Sequence, residues 1–209
     1  MNRIEGIYGI LPADLPIEKL LSRAENALQG GVRALQLRDK KAGYKHKIRR
    51  AKQLHDLTSK HHARLIINDS IQIAVESGAE GVHLGRSDMT NLTRLRTEAG
   101  DEMIIGVSCK ADAAFARHAL DSGANYISFG AVYATESKAD TSVIGIDRLA
   151  KARQMFPAAN IVAIGGVNEG NMEEVKAAGA DAAAIINGLF GADDVEQRAR
   201  SLIASWQTA

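Results

Sequence analysis

The sequence predicts an α/β protein, a single (β/α)8 TIM barrel, and three observations support that fold. Short apolar segments alternate with longer amphipathic segments along all 209 residues, a pattern typical of parallel strands joined by helices. Eight such units in roughly 200 residues match a compact barrel. A segment that ends a helix and begins a strand also recurs about every 50 residues. We therefore expect one domain that spans residues 1–209.

The eight predicted strands are short runs of apolar and β-branched residues. Between them, apolar residues recur three and four positions apart, as in Leu20, Ala24 and Ala27, which is the spacing of one helix face. In chain order the predicted strands are Gly6–Ile10, Ala34–Leu37, Leu65–Ile67, Val82–Leu84, Ile104–Val107, Tyr126–Phe129, Ile161–Ile164 and Ala183–Ile186.

The recurring segment precedes every even-numbered strand. It consists of a glycine that ends a helix, a small or apolar residue, and then an apolar strand. An open, doubly wound sheet is the competing fold, but it would usually contain about six strands. The four copies are Gly31-Val32-Arg33-Ala34-Leu35, Gly78-Ala79-Glu80-Gly81-Val82, Gly123-Ala124-Asn125-Tyr126-Ile127 and Gly179-Ala180-Asp181-Ala182-Ala183.

Composition excludes several classes of function. The net charge is +1 with scattered lysines and arginines, so there is no electrostatic case for binding nucleic acid or an acidic membrane surface. Cys109 is the only cysteine, which excludes an internal disulfide and a cysteine-rich zinc site. No signal peptide or membrane-spanning segment is evident, so a cytoplasmic location is expected. The sequence carries no signal of oligomeric state.

Strand two leads into an informative polar segment. Side chains alternate faces along a strand, so Gln36 and Arg38 share one face, with Lys40 just beyond them. Because Leu35 and Leu37 would face the helices, Gln36 and Arg38 should point into the barrel mouth. A guanidinium there suits a phosphate or carboxylate ligand. The alternative is that Arg38 pairs with an internal acid.

Polar residues collect at the carboxyl ends of the predicted strands, where barrels of this type place their chemistry, and we expect none to collect at the opposite ends. Asp69 follows strand three and Asp88 follows strand four, which suits Mg²⁺ held jointly with substrate phosphates. Alternatively, Asp69 caps a helix starting near Ser70, and Asp88 one starting near Thr90. His83 is expected to be a hydrogen-bonded barrel residue and not a metal ligand.

Later strands add further candidates. Ser108 lies at the rim after strand five, but nothing indicates a Ser/His/Asp arrangement or a nucleophilic Cys109. The long, hydroxyl-rich loop after strand six could close over a ligand or could be a surface connection. Gly165-Gly166 after strand seven and Asn187-Gly188 after strand eight favour a phosphate site, because backbone N–H groups can approach an anion there.

These separated motifs together resemble the thiamin phosphate synthase family, over nearly the whole chain. Their order and spacing are much more specific than any one of them. The motifs are Gln-Leu-Arg-x-Lys at Gln36–Lys40, Ile-Asn-Asp at Ile67–Asp69, Gly-Val-His-Leu-Gly-x-x-Asp at Gly81–Asp88, Gly-Val-Ser at Gly106–Ser108, Thr-x-Ser-Lys at Thr135–Lys138 and Ile-Gly-Gly at Ile164–Gly166.

The resemblance implies a reaction of hydroxymethylpyrimidine diphosphate with thiazole phosphate that yields thiamin phosphate and diphosphate. It implies Mg²⁺ on Asp69 and Asp88. The pyrimidine diphosphate would be held by the Gln36–Lys40 segment (Gln36, Leu37, Arg38, Asp39 and Lys40), with Asn68, Ser108 and Lys138. Arg38, Lys40, Ser108 and Lys138 are the implied catalytic residues. Thr135, Glu136, Ser137, Gly166, Ile186 and Asn187 would bind at the thiazole phosphate end.

Some positions depart from the family pattern. Arg86 replaces a usual Gln, Ser87 an acid that is often present, Ser137 a common Thr and Asn187 a common Ser, and Cys109-Lys110 also differs. A thiazole tautomerase on the same barrel is the nearest alternative, but that group tends to carry a histidine near position 131, where this chain has alanine. A non-catalytic barrel that binds a phosphate ligand is the other alternative.

Overall fold

The computed structural model describes residues 2–12, 14–88, 92–135 and 142–209. Eight parallel strands, each paired with its neighbours in chain order, form a closed barrel. This confirms the predicted barrel and excludes the open sheet, because β1 also pairs with β8. The strands are β1 Gly6–Pro12, β2 Ala34–Arg38, β3 Arg64–Asn68, β4 Gly81–Leu84, β5 Ile104–Lys110, β6 Tyr126–Gly130, β7 Ile161–Ile164 and β8 Ala182–Ile185.

Helices follow the strands and cover the outside of the barrel. Short 3-10 turns lie at Arg86–Asp88 and Glu169–Asn171. Within the described ranges, no helix combines the length and apolar character needed to cross a membrane. The α-helices are α1 Ile17–Gln29, α2 Tyr44–Lys60, α3 Ile71–Ser77, α4 Leu92–Ala99, α5 Ala113–Asp121, α6 Ile146–Met155, α7 Met172–Ala177, α8 Asn187–Phe190 and α9 Val195–Thr208.

All eight predicted strands are present, with differences at their ends. β5 continues to Lys110 through an irregularity between Ser108 and Lys110, where its pairing with β6 shifts. β8 begins and ends one residue earlier than predicted, so Ile186 leaves the strand and directly precedes α8. The predicted and observed carboxyl ends of β5 and β8 therefore differ where the ladder gives way to loops.

Two apolar clusters follow from the alternation of side chains along the strands. Outward residues of the strands pack on the helices, and the predicted α1 face, including Leu20 and Ala24, is fully buried there. Inward residues form a second cluster inside the barrel, with Ile66 and Val162 among its members. The barrel interior is therefore a packed core below the site and not an open channel.

The lower interior depends on a glycine of β5. A Cβ atom on Gly106 would lie 1.9 Å from Cζ of Tyr126, so only glycine leaves room for the tyrosine ring to extend across the barrel. That ring stacks on His83 at a centroid distance of 5.6 Å. It also meets Tyr8 edge-on at 6.2 Å. Three aromatic rings from three strands thus close the bottom of the cavity described below.

The recurring segment forms a specific contact at the amino-terminal end of the barrel. In three of its four copies the side chain of the residue just before the even strand accepts a hydrogen bond from a backbone N–H of the preceding odd strand. We call these three the basal contacts. They are Leu65 to Glu80 (2.7 Å), Ile105 to Asn125 (2.8 Å) and Ile161 to Asp181 (2.7 Å).

Each basal contact also has a helix side chain as a partner. Arg153 of α6 donates to Asp181 at 2.6 Å and to the carbonyl of Gly179 at 2.8 Å. Arg96 of α4 repeats this arrangement with Asn125 (2.6 Å) and the carbonyl of Gly123 (2.8 Å). His55 of α2 lies 3.3 Å from Glu80. The expectation that polar groups would not collect at this end is therefore wrong; they collect there in mutually bonded sets.

Candidate active site

A cavity of about 430 Å³ opens at the carboxyl ends of the strands, and each of the eight strands or the loop after it contributes to its wall. This is the end at which barrels of this type carry their chemistry. Many of the residues singled out in the sequence meet in this cavity. They are Gln36, Arg38, Lys40, Asn68, Asp69, Ser108, Thr135, Gly166, Ile186 and Asn187.

Other candidates are placed differently. Leu37 is buried in the outer core between strands and helices, as the alternation along β2 predicts. The side chain of Asp39 also lies outside the cavity wall: it accepts hydrogen bonds from Arg50 (2.9 Å) and from the backbone N–H of Ala42 (2.9 Å). A direct substrate contact by these two side chains is therefore not supported. The candidates Glu136, Ser137 and Lys138 lie outside the described residues.

Lys40 and Arg38, the two cations at the end of β2, differ in whether they have a partner. Lys40 Nζ lies 3.3 Å from Asp69 Oδ2, which joins the end of β2 to the end of β3. Arg38 forms no hydrogen bond or ion pair with another described side chain, although it lines the cavity. The alternative of an internal acid paired with Arg38 is thus not found in the described part of the chain. A planar donor fork directed at a cavity is suited to an anionic ligand.

Asp69 occupies an unusual backbone conformation. Its φ is +65°, a region that asparagine and aspartate tolerate better than other non-glycine residues. The following residue, Ser70, caps α3 by accepting a hydrogen bond from the N–H of Ile73 at 3.2 Å. The alternative role of Asp69 as the helix cap is therefore wrong, and its carboxylate remains at the cavity wall beside Lys40.

Asp88 supports the wall from behind. Its Oδ2 accepts a hydrogen bond from the N–H of Gly85 at 2.8 Å, and Gly85 lines the cavity. The helix start near Thr90, which would test Asp88 as a cap, lies outside the described residues. Arg86, which departs from the family pattern, bonds Asp112 and lies 4.1 Å above the ring of Phe115. Arg86 therefore attaches this loop to α5.

The floor of the cavity is a chain of hydrogen bonds. The amide of Gln36 donates to the hydroxyl of Tyr8 at 2.7 Å. That hydroxyl lies 3.2 Å from the hydroxyl of Tyr126, which lies 2.8 Å from Nδ1 of His83. Burial raises the pKa of both tyrosines well above the ordinary value. The floor therefore orients the Gln36 amide without placing an ionised tyrosine beneath the ligand.

His83 is neutral at physiological pH. Burial, and next the positive charge of Arg38, lower its pKa to about 4, while Asp88 acts in the opposite direction. A histidine bonded to Tyr126 inside the barrel fits the sequence-based expectation of a packed, hydrogen-bonded residue. A neutral His83 adds no positive charge beneath Arg38.

The wall formed by the β6 and β7 loops requires a second special glycine. Gly166 has a φ of +68°, and a Cβ there would lie 2.6 Å from the carbonyl oxygen of Ala134. The first residues of the β6 loop continue along β7, because the N–H groups of Val132 and Tyr133 donate to the carbonyls of Ile164 (2.9 Å) and Gly165 (3.0 Å). The start of this loop is thus held against the glycine pair.

Several cavity residues were not singled out as ligand contacts from sequence, among them Tyr8, His83, Lys110 and Ser128. Tyr8 and Ser128 lie within predicted strands, and no motif distinguishes them from ordinary strand residues. Lys110 was noted only as a departure from the family pattern, but it lines the cavity at the β5 irregularity with a φ of +55°. His83 was treated as a structural residue and yet contributes to the cavity wall. The inward alternation was the available signal for Tyr8, His83 and Ser128.

Comparisons with known proteins agree with this geometry. A family model described as thiamine monophosphate synthase matches residues 7–189. The thiamine-phosphate synthase of Chromobacterium violaceum is 42% identical over 98% of this chain and 97% of that protein. The protein of the same name from Thioalkalivibrio sulfidiphilus is 39% identical over 99% of this chain and 97% of its own length.

Solved structures extend the agreement to the fold. The thiamine phosphate pyrophosphorylase from Pyrococcus furiosus superimposes with a TM-score of 0.86 at 30% identity, covering 99% of this chain and 98% of that one. A 3-hexulose-6-phosphate synthase, at 17% identity and a TM-score of 0.74, covers 97% of this chain and 99% of its own and shares the fold alone. Because the family model and these relatives match nearly the whole chain, the chain belongs to the thiamine monophosphate synthase family of transferases.

Proposed function

We propose that this chain joins 4-amino-5-hydroxymethyl-2-methylpyrimidine diphosphate to 4-methyl-5-(2-phosphoethyl)thiazole, forming thiamin phosphate and releasing diphosphate. The observation that carries the proposal is one cavity with cationic side chains on one side and a glycine-rich turn on the opposite side, two features that suit anions. Lys40, just after β2, pairs with Asp69 at the end of β3, and Gly166 stands after β7, four strands from β3 round the barrel. Two small phosphorylated substrates fit that arrangement.

The residues at the β2 and β3 ends would hold the diphosphate of the pyrimidine substrate. Arg38 and Lys40, with Lys138 by resemblance, supply positive charge, and Asn68 and Ser108 supply hydrogen-bonding groups. As the bond between the methylene carbon and the diphosphate oxygen breaks, its electron pair leaves with the diphosphate. The cations stabilise this growing negative charge, which is the part of the reaction that side chains can accelerate most.

The carboxylates of Asp69 and Asp88 fit a Mg²⁺ ion. Both are hard oxygen donors. Asp69 is held by Lys40 on Oδ2, and Asp88 accepts hydrogen bonds from the N–H of Gly85 on Oδ2 and from the hydroxyl of Ser87 on Oδ1 at 3.4 Å. Among the described residues no cluster of three or more metal-ligating side chains occurs, which suits a cation that shares its coordination with substrate phosphates. When bound, Mg²⁺ would neutralise charge on the diphosphate.

The thiazole phosphate would lie against the β7 and β8 loops. Gly166, Ile186 and Asn187 line that wall, and Thr135 lies at the start of the β6 loop that would complete it with Glu136 and Ser137. Backbone N–H groups at a glycine-rich turn bind phosphate without a charged side chain. The thiazole nitrogen would then attack the pyrimidine methylene cation left by the departing diphosphate, which forms the new C–N bond.

This route requires alignment and charge stabilisation, with no nucleophilic side chain. Burial raises the pKa of Cys109 to about 12 and its thiol faces the outer core, so it is not placed to act as a nucleophile. The neutral His83 is bonded through Nδ1 to Tyr126. The absence of a triad in the sequence is consistent with this chemistry.

The direct test is to incubate the purified chain with both phosphorylated precursors and Mg²⁺, and to measure thiamin phosphate and diphosphate. We expect equal amounts of the two products, and none when either precursor is left out or EDTA is added. If neither product forms, the synthase function is wrong. Isomerisation of a thiazole carboxylate phosphate would instead identify a tautomerase, and ligand binding without turnover would identify a non-catalytic barrel.

A further inference from the structure

Ser128 of β6 has no role in the proposed mechanism. Ser128 is 3% exposed, and its hydroxyl oxygen is fully buried with no hydrogen-bond partner among the described residues. Buried side-chain hydroxyls normally have a partner, because an unpaired one loses its bonds to water without replacement. Ser128 nevertheless lines the cavity, so a ligand that reaches the floor could supply the missing partner.

The strand pairing places Ser128 in the floor of the cavity. Barrels of this type stack inward side chains in layers of four from alternate strands. Counting along the observed register puts Ser128 in one layer with Gln36, His83 and Ala184, from β6, β2, β4 and β8. All four residues line the cavity. The layer below is closed by Tyr8, Ile66 and Val162.

The other polar members of this layer already have partners. Gln36 donates to Tyr8, and His83 is bonded to Tyr126, so the orientations of the amide and the imidazole are set by the barrel. Ser128 has no such constraint, and a serine hydroxyl moves between staggered positions at little cost. The floor thus combines two oriented polar groups with one that can adapt to a ligand.

We propose that Ser128 binds the heteroaromatic ring of the pyrimidine substrate, by a hydrogen bond to a ring nitrogen or to the amino group. This inference rests on the proposed function. With the diphosphate held at the rim by Arg38 and Lys40, the attached ring extends into the barrel beside Gln36, two residues before Arg38 on the same strand. Ser128 is a hydrogen-bonding group of that same layer whose capacity the protein does not satisfy.

A matched pair of serines provides the test. Ser108 pairs with Ser128 in the β5–β6 ladder and also lines the cavity, but it lies one layer higher, where the diphosphate is expected. Ser128→Ala and Ser108→Ala remove the same hydroxyl group from neighbouring positions. Calorimetric titration in Mg²⁺ with hydroxymethylpyrimidine diphosphate, and separately with inorganic diphosphate, compares ring binding with diphosphate binding.

Ser128→Ala should raise the Kd for hydroxymethylpyrimidine diphosphate about 5-fold, the effect of losing one uncharged hydrogen bond, and leave the Kd for inorganic diphosphate unchanged. Ser108→Ala should raise both. The thermal midpoint of Ser128→Ala should not fall, because the substitution removes an unpaired buried hydroxyl. In steady-state assays the KM for thiazole phosphate should not change.

Three results would overturn the role of Ser128. They are an unchanged Kd for hydroxymethylpyrimidine diphosphate in Ser128→Ala, an equal rise for both ligands, and a change confined to the KM for thiazole phosphate. If the unmodified protein forms thiamin phosphate in the same experiments, these results leave the synthase function intact. If the unmodified protein neither binds hydroxymethylpyrimidine diphosphate nor forms product, both proposals fail.

Discussion

The two ends of the barrel use similar polar residues in opposite ways. At the amino-terminal end, Asp181 accepts hydrogen bonds from a backbone N–H and from Arg153, and it also pairs with Arg3 at 3.2 Å. At the carboxyl end, Arg38 lines a cavity and forms no ion pair with the described side chains. A group whose bonds are complete inside the protein stabilises the fold, whereas a group left incomplete is available to a ligand.

The same contrast exists between two buried polar side chains, those of Asn160 and Ser128. Asn160, 2% exposed below β7, accepts a hydrogen bond from the N–H of Ile4 at 2.7 Å and donates to its carbonyl at 2.9 Å. Ser128, just as deeply buried near the cavity, has no hydrogen-bond partner in the described part of the chain. Burial alone therefore does not distinguish structural polar residues from candidate functional ones; the completeness of their hydrogen bonding does.

The largest expected effect is on turnover at the carboxyl end. Asp69→Asn should lower kcat about 1000-fold at saturating Mg²⁺, because it removes a charged oxygen ligand from the proposed ion. Asparagine is preferable to alanine here, since it tolerates the φ of +65° and isolates the loss of charge from backbone strain. The thermal midpoint should stay within about 2 °C.

The control is Asp14→Asn, which changes an exposed carboxylate, 3.8 Å from Lys41, on the β1 loop at the same end of the barrel. It should leave kcat and the thermal midpoint unchanged. If Asp69→Asn retained full turnover, Asp69 would have no place in the mechanism.

The next effect separates the two ends directly. Arg38→Met should lower kcat/KM for the pyrimidine diphosphate about 100-fold with no loss of stability, since no described partner is left unpaired. Arg153→Met should lower the free energy of unfolding and leave kcat/KM unchanged, because it removes the hydrogen bonds to Asp181 and to the carbonyls of Gly179 and Ala159. Urea unfolding and steady-state kinetics on both variants check this. If Arg38→Met lost as much stability as Arg153→Met, the proposed difference between the two ends of the barrel would be wrong.

A smaller effect is expected from the amino-terminal end. Asn160→Ala leaves the buried N–H and carbonyl of Ile4 without their partner, so the free energy of unfolding should fall by about 2 kcal/mol. For a chain of this length, that corresponds to a decrease of about 6 °C in Tm. The kinetic constants should remain those of the unmodified protein, and a change in KM would indicate that the two ends are coupled.

The smallest effect is expected at Cys109, on the outer face of the barrel at the same height as the cavity. Burial raises the pKa of Cys109 from 9.0 to about 12, so the folded state keeps a proton that the unfolded chain loses above pH 9. Stability should therefore fall as the pH rises through that range. Between about pH 8 and 10, the unmodified protein should lose about 1 kcal/mol more unfolding free energy than Cys109→Ala. Parallel pH profiles would contradict a buried neutral thiol.

Sequence was sufficient for the strands because local signals mark them. Helix-ending glycines and inward alternation predicted every strand and the inward direction of Gln36 and Arg38. The same alternation places Asp39 on the outer face, but its partner Arg50 depends on how α2 packs, which strand periodicity does not describe. Ser70, and not Asp69, caps α3, and this likewise depends on one backbone angle, the φ of Asp69.

The polar contacts across the barrel could not be predicted in this way. Tyr8, His83 and Tyr126 come from strands far apart in the chain, and their hydroxyl and imidazole groups meet only because Gly106 leaves space for a ring. Whether a buried serine such as Ser128 has a partner depends on all its neighbours at once. Such information is absent from any one segment of the sequence.

The basal contacts have a consequence for how a barrel of this kind can evolve. Each one links a helix, an odd strand and the next even strand at the end away from the cavity, through Glu80, Asn125 or Asp181. Mutations that reshape the opposite loops leave these links untouched. Substitutions in the loops around the cavity can therefore change substrate preference, while selection for folding acts on the basal contacts. A new ligand specificity can arise in this way without a prior loss of stability.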